Sequence, residues 1–209
     1  MRIDKRWILV LTTLFLPLLL AGTAYADTSY RWDIVRLSLT GVTHTINPGG
    51  PASAKANDGS MITVTGSGTF TIGDDEVSGG GTWTTTAADG TTITGMGSYL
   101  VTALVRFDVA PGKQTNGTID LIGDGTLADN RAGLVFLRVL YDDGSKGILV
   151  VSCRIAGNPG QGDAAPASMF EGITASKGFV DYWNNVAPTG GFSGPNAGRT
   201  LFHILRGGD

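Results

Sequence analysis

From Met61 to Val109 apolar residues and glycines alternate with threonine, serine and other polar residues, and no 3.6-residue period competes with that rhythm. The alternation commits the segment to strands. Successive side chains of a strand point to opposite faces, so one face can be buried while the other is wetted. In Met61 to Ile72 one face carries Ile62, Val64, Gly66, Gly68, Phe70 and Ile72, and the other carries mainly threonine and serine. Gly73-Asp74-Asp75-Glu76 supplies a turn into Val77 to Thr86, whose inner side takes Gly79, Gly81 and Trp83. Ala87-Ala88-Asp89-Gly90 turns the chain again, and Ile93 to Val109 sets Tyr99, Val101, Val105, Phe107 and Val109 on the same side. Strands joined in this way by short turns make an antiparallel meander.

Glycine weakens a strand through lost packing and backbone entropy, so Gly66, Gly68, Gly79, Gly81, Gly95 and Gly97 on one face need a cause. They permit sharp coiling of the sheet, or they let a large ring such as Trp83 or Tyr99 lie across the backbone. Both devices belong to a closed or strongly curved sheet.

Tyr30 to Leu39 reads as an opening strand, and Asn116-Gly117 as a tight turn into Thr118 to Ile122. Arg131 to Tyr141 and Lys146 to Ile155 form a hairpin across Asp142-Asp143-Gly144-Ser145; its arms are apolar on both faces, which predicts cover on both sides. Met169 to Trp183 holds one or two further strands between two Gly/Pro-rich loops, and Arg199 to Leu205 closes the chain. The expected fold class is all-β: an antiparallel meander closing into a β-barrel or β-sandwich of about eight or nine strands. A Gly-rich meander of this kind is similar to small β-barrels such as lipocalins and dirigent-like proteins, a similarity of fold that carries no function with it.

The N-terminus has the layout of a cleavable signal peptide. Met1 to Arg6 is basic, Trp7 to Leu20 is apolar, and Ala24-Tyr25-Ala26 fits the small-x-small cleavage pattern. The apolar run is short for a bilayer span, which takes about 20 apolar residues. We therefore expect a signal peptide at 1–26, a single β-domain at 27–209, a secreted or periplasmic location, and no membrane anchor after cleavage. The chain carries 15 Lys+Arg and 18 Asp+Glu, a formal charge of −3. Without the leader it has 12 bases against 17 acids, or −5. A mildly acidic domain without a basic stripe is unsuited to nucleic acid, where Lys and Arg must neutralise phosphates.

Cys153, the single cysteine, excludes an intramolecular disulfide, and its place in Gly147 to Cys153 predicts a buried thiol. Histidine is confined to His44 and His203, and no H-x-H, H-E-x-x-H or C-x-x-C occurs, so neither a metal site nor a cofactor is expected. Asp142-Asp143 and Asp74-Asp75-Glu76 sit at turns, where Asp bonds its own backbone. Asp124 and Asp129 offer oxygens to calcium but lack the EF-hand spacing.

Phe179-Val180-Asp181-Tyr182-Trp183-Asn184-Asn185 is the stretch with most chemistry in it, because aromatics beside Asp and Asn suit stacking on sugars or other small ligands. Alternation puts Asp181 with Trp183 on one face and Tyr182 on the other. The candidate ligand-binding residues are Asp181, Trp183, Tyr182 and His203. The leading expectation is a non-catalytic module that binds a small molecule, a glycan or a surface. Two alternatives remain open. One is a small β-barrel enzyme of isomerase, cyclase or hydrolase type using Asp181, Tyr182 and His203 as acid/base groups; the other is an extracellular structural or adhesive module.

Overall fold

A computed structural model describes residues 28–40, 43–74, 76–112, 117–123, 126–155, 164–188 and 198–206. The expected signal peptide, Asp75, Asn116 of the Asn-Gly turn and Asp124 lie outside the described residues. The strands in chain order are β1 (Ser29–Thr40), β2 (Thr43–Pro48), β3 (Ala52–Lys55), β4 (Met61–Val64), β5 (Ser67–Thr71), β6 (Gly80–Thr86) and β7 (Ile93–Ala110). There follow β8 (Thr118–Asp120), β9 (Asn130–Tyr141), β10 (Lys146–Cys153), β11 (Gly172–Lys177), β12 (Val180–Tyr182), β13 (Asn184–Asn185) and β14 (Gly198–Leu205). A 3-10 turn at Leu127–Asp129 is the one helical element among the described residues.

The fold is all-β and closed. β1 pairs β5, β5 pairs β6, β6 pairs β7, β7 pairs β9, β9 pairs β14, and β14 returns to β1, every pairing antiparallel. This six-stranded barrel carries extra strands: β10, β11 and β12 extend from β9, and β4, β3 and β13 extend from β6. β2 folds back on β1 and takes β8 in parallel.

The barrel interior is filled with rings. Tyr30, Trp32 and Ile34 point inward from β1, and Phe70, Phe107 and Phe202 meet Tyr30 or one another at centroid distances of 4.8–6.4 Å. Edge-to-face and tilted ring pairs of this kind add to the burial of their area. The glycines of β5 and the segment before β6 make room for Trp32 above all. A Cβ on Gly68 would stand 2.7 Å from its Nε1, and one on Gly79 would stand 3.0 Å from its Cζ2. Gly95 does lie under Trp83, as expected, with 3.0 Å to the ring.

Four details depart from the strand reading. Met61 to Ile72 breaks into β4 and β5 at Thr65-Gly66, because β4 joins β3 while β5 joins β1. Ile72, read as inward, is exposed beyond the end of β5. β7 has register shifts between Val101 and Ala103 and between Leu104 and Arg106. Each bulge inserts a residue and turns the alternation over, so Leu104 packs on the core and Val105 faces out. The cover of the β9–β10 hairpin is uneven: β10 is buried on both faces from Leu149 to Cys153, whereas Leu140 of β9 is exposed.

Candidate functional site

β9 and β14 pair only at Phe202–Arg131 and His203–Asn130, then diverge. The divergence leaves backbone N–H groups on β14 and at the end of β10 without strand partners, and Glu171 supplies the acceptors. Its Oε1 accepts from the Thr200 N–H at 2.7 Å, and its Oε2 accepts from the Arg154 N–H at 2.6 Å. The Thr200 hydroxyl lies 3.2 Å from Oε1 and also donates to the Ser152 carbonyl. A carboxylate therefore stands where a strand would.

Beside it opens a cavity of about 530 Å³, on the face of β1 and β14 turned away from the barrel interior. Val35, Leu37, Ile46 and Leu201 give it an apolar floor; Glu171, Arg199, Arg154 and Asn185 give it polar groups; Met169, Ala187 and Pro188 also border it. Burial raises the Glu171 carboxyl to about 7, against the pull of its Arg154 and Thr200 donors and of the Arg199 charge. Nη1 of Arg199 is buried and has no hydrogen-bond partner among the described residues. The Asn185 side chain is engaged: Nδ2 donates to the Glu171 carbonyl at 3.0 Å and the Ile173 carbonyl at 3.3 Å, tying β13 to β11.

Cys153 borders the same cavity but is buried, as expected. Burial, then the neighbouring Glu171, push its thiol well above the ordinary value, so it stays protonated and poorly nucleophilic.

The residues singled out from sequence do not converge. Asp181 and Trp183 are exposed on and beside β12, the terminal strand of the sheet, while Tyr182 points into the core. Burial and then Asp58 raise the Tyr182 hydroxyl, which bonds Ser60. Phe179, at the turn before β12, is fully exposed, and Trp183 is 53% exposed, so an exposed ring stands at each end of β12 with Asp181 exposed on the strand. His203 lies on β14, between β1 and β9, with its Nε2 2.8 Å from Oδ2 of Asp120 and both side chains buried. Burial works against ionisation of Asp120, but the His203 bond and the Ile122 N–H outweigh it and hold the carboxyl below its usual range. The pair is sealed, and it locks β8 onto β14.

Asp142 and Asp143 do more than turn the chain. Asp142 accepts from the Ser98 N–H at 2.8 Å and from Trp83 Nε1 at 3.0 Å, and Asp143 caps Ser145 and pairs with Lys177. Asp129 accepts from Nε and Nη2 of Arg206 at 2.8 and 2.6 Å, which engages it without an ion. Among the described residues no group of three or more His, Cys, Asp or Glu is placed to hold a metal.

Glu171, Arg199 and Thr200 were not singled out in the sequence. Glu171 has one available signal: it is an acid between Met169-Phe170 and the uncharged Gly172-Ile173-Thr174-Ala175, an unusual place for a charge. No protein-family model, curated protein or solved structure matches the chain.

Proposed function

We propose that the protein is an exported, non-catalytic β-barrel that binds a small amphipathic molecule in the cavity beside Glu171. The reading is carried by one observation: a cavity of about 530 Å³ with an apolar floor and a few convergent polar groups. Small-molecule sites are clefts of roughly 300–1,000 Å³ built on that plan. Turnover is the weaker reading. The Cys153 thiol is protonated, both Glu171 oxygens are occupied by donors, and His203 is committed to Asp120. Among the described residues no nucleophile and base face each other across the cavity, as covalent catalysis requires.

Titration with medium-chain alcohols and acids should raise the Tm, since a ligand of the folded state stabilises it by mass action. Ala187→Trp, at an exposed position bordering the cavity, should abolish the shift and leave the unliganded Tm unchanged. A shift that survives this substitution places the binding elsewhere. Export has its own test: the secreted form should begin at Asp27 by intact mass.

The exposed edge of Phe179, Val180 and Trp183 favours a second reading, a surface or glycan contact at β12. Soluble domains seldom expose adjoining apolar side chains without use for them.

A further inference from the structure

The polar half of the cavity is unbalanced. Among the described residues, Arg199 and Arg154 border it against Glu171 alone, and no ion pair holds either arginine. Glu171 has its own donors, two backbone N–H groups and the Thr200 hydroxyl, so it does not depend on Arg199 for satisfaction. Among the described residues Arg199 Nη1 is left buried with donors and no acceptor. A buried donor without an acceptor costs free energy that a bound acceptor recovers, and an ionised acceptor recovers most. The apolar floor beside it, Val35, Leu37, Ile46 and Leu201, asks for a hydrocarbon body.

Resting on the reading of this cavity as a ligand site, we infer that its ligand is an anionic amphiphile, a carboxylate on an aliphatic body. The head bonds Arg199, and the chain lies along the floor between β1, β2 and β14. A singly charged head suits the place better than a phosphate dianion, because Glu171 stands beside it and repels extra negative charge. When Glu171 carries its proton, that repulsion is gone. The groups facing Glu171 are Arg199 and Thr200 from β14 and Cys153 and Arg154 at the end of β10. Burial pushes up both Glu171, to about 7, and the Cys153 thiol.

The test uses the full chain and three probes of equal tail length: octanoate, 1-octanol and octyltrimethylammonium, titrated calorimetrically at pH 6. Octanoate should bind about ten-fold or more tighter than 1-octanol, the worth of one charge-assisted hydrogen bond, and the cation should bind weakest. Arg199→Met should bring octanoate down to the level of 1-octanol and leave 1-octanol unchanged. Equal affinity for octanoate and 1-octanol, or full octanoate affinity in Arg199→Met, overturns the inference while the cavity remains a binding site. Failure of every probe removes the cavity reading itself, and this inference with it. Should Arg199→Met not fold, the ranking of the three probes on the unmodified chain still decides.

Discussion

Thr200 meets Glu171 twice, its backbone N–H donating to Oε1 at 2.7 Å and its hydroxyl oxygen standing 3.2 Å from the same atom. That hydroxyl has one proton, and the Ser152 carbonyl also takes it. One proton cannot serve two acceptors fully. Protonated Glu171 resolves the conflict by donating to Thr200, which then donates onward to Ser152. The geometry thus agrees with a carboxyl group raised to about 7 by burial.

Stability should follow that proton. A folded-state value raised from 4.5 to about 7 means the folded chain holds the proton more tightly than the unfolded chain. The contribution is fully present below pH 4.5 and is lost as the pH climbs through 7. The loss is on the order of 3 kcal/mol. Urea melts at pH 5 and pH 8 should differ in this direction, and Glu171→Gln should flatten the difference even if it lowers stability at both. A slope that Glu171→Gln leaves intact assigns the titration to another group.

Cys153 should be silent toward thiol reagents in the native protein. It is buried, and burial with Glu171 keeps the thiol protonated. Labelling with a maleimide should wait for denaturant and track global unfolding. Stoichiometric labelling within minutes under native conditions contradicts that placement.

The class of the fold was legible because period two runs within β4, β5, β6 and the first half of β7, and the burial of Trp83 and Tyr99 followed from it, while that of Cys153 followed from the apolar stretch it ends. What was not legible is long-range. The Thr65-Gly66 break reflects a change of partner from β3 to β1, and the bulges of β7 reflect its passage from β6 to β9. Neither leaves a local signal beyond glycine. β3, Ala-Ser-Ala-Lys, has weak strand propensity and is a strand because β4 and β13 flank it. The cavity escaped for the same reason: Glu171 and Thr200 are 29 residues apart and meet only where two strands diverge.

Gly79 tests the packing of the barrel wall. Its φ is +124°, and a Cβ there would stand 2.7 Å from Gly68 Cα and 3.0 Å from Trp32 Cζ2. Gly90, at φ +72°, has open space where a Cβ would go. Gly79→Ala should therefore cost more than Gly90→Ala by the price of overpacking, roughly 1–3 kcal/mol. Equal losses in chemical denaturation would mean that Trp32 moves aside freely, and the tight wall would be wrong.

The edge at β12 separates a contact surface from an incidental one. Trp183 is 53% exposed and Phe179 fully so, and they lie at either end of Val180–Tyr182 on the terminal strand. Neither ring supports the core, so Trp183→Ala should change stability by no more than about 0.5 kcal/mol. A stacking ring, by contrast, offers large contact area at little entropic cost, and its loss is felt in affinity. Asp181, exposed beside Trp183, would orient a hydroxylated ligand and add less binding energy than the ring. Pull-down of the unmodified chain on insoluble cellulose and chitin should then exceed that of Trp183→Ala several-fold, with Asp181→Asn falling between them. Retention that is the same for all three chains, or absent in all, excludes β12 as a glycan contact and leaves the Glu171 cavity as the place to look.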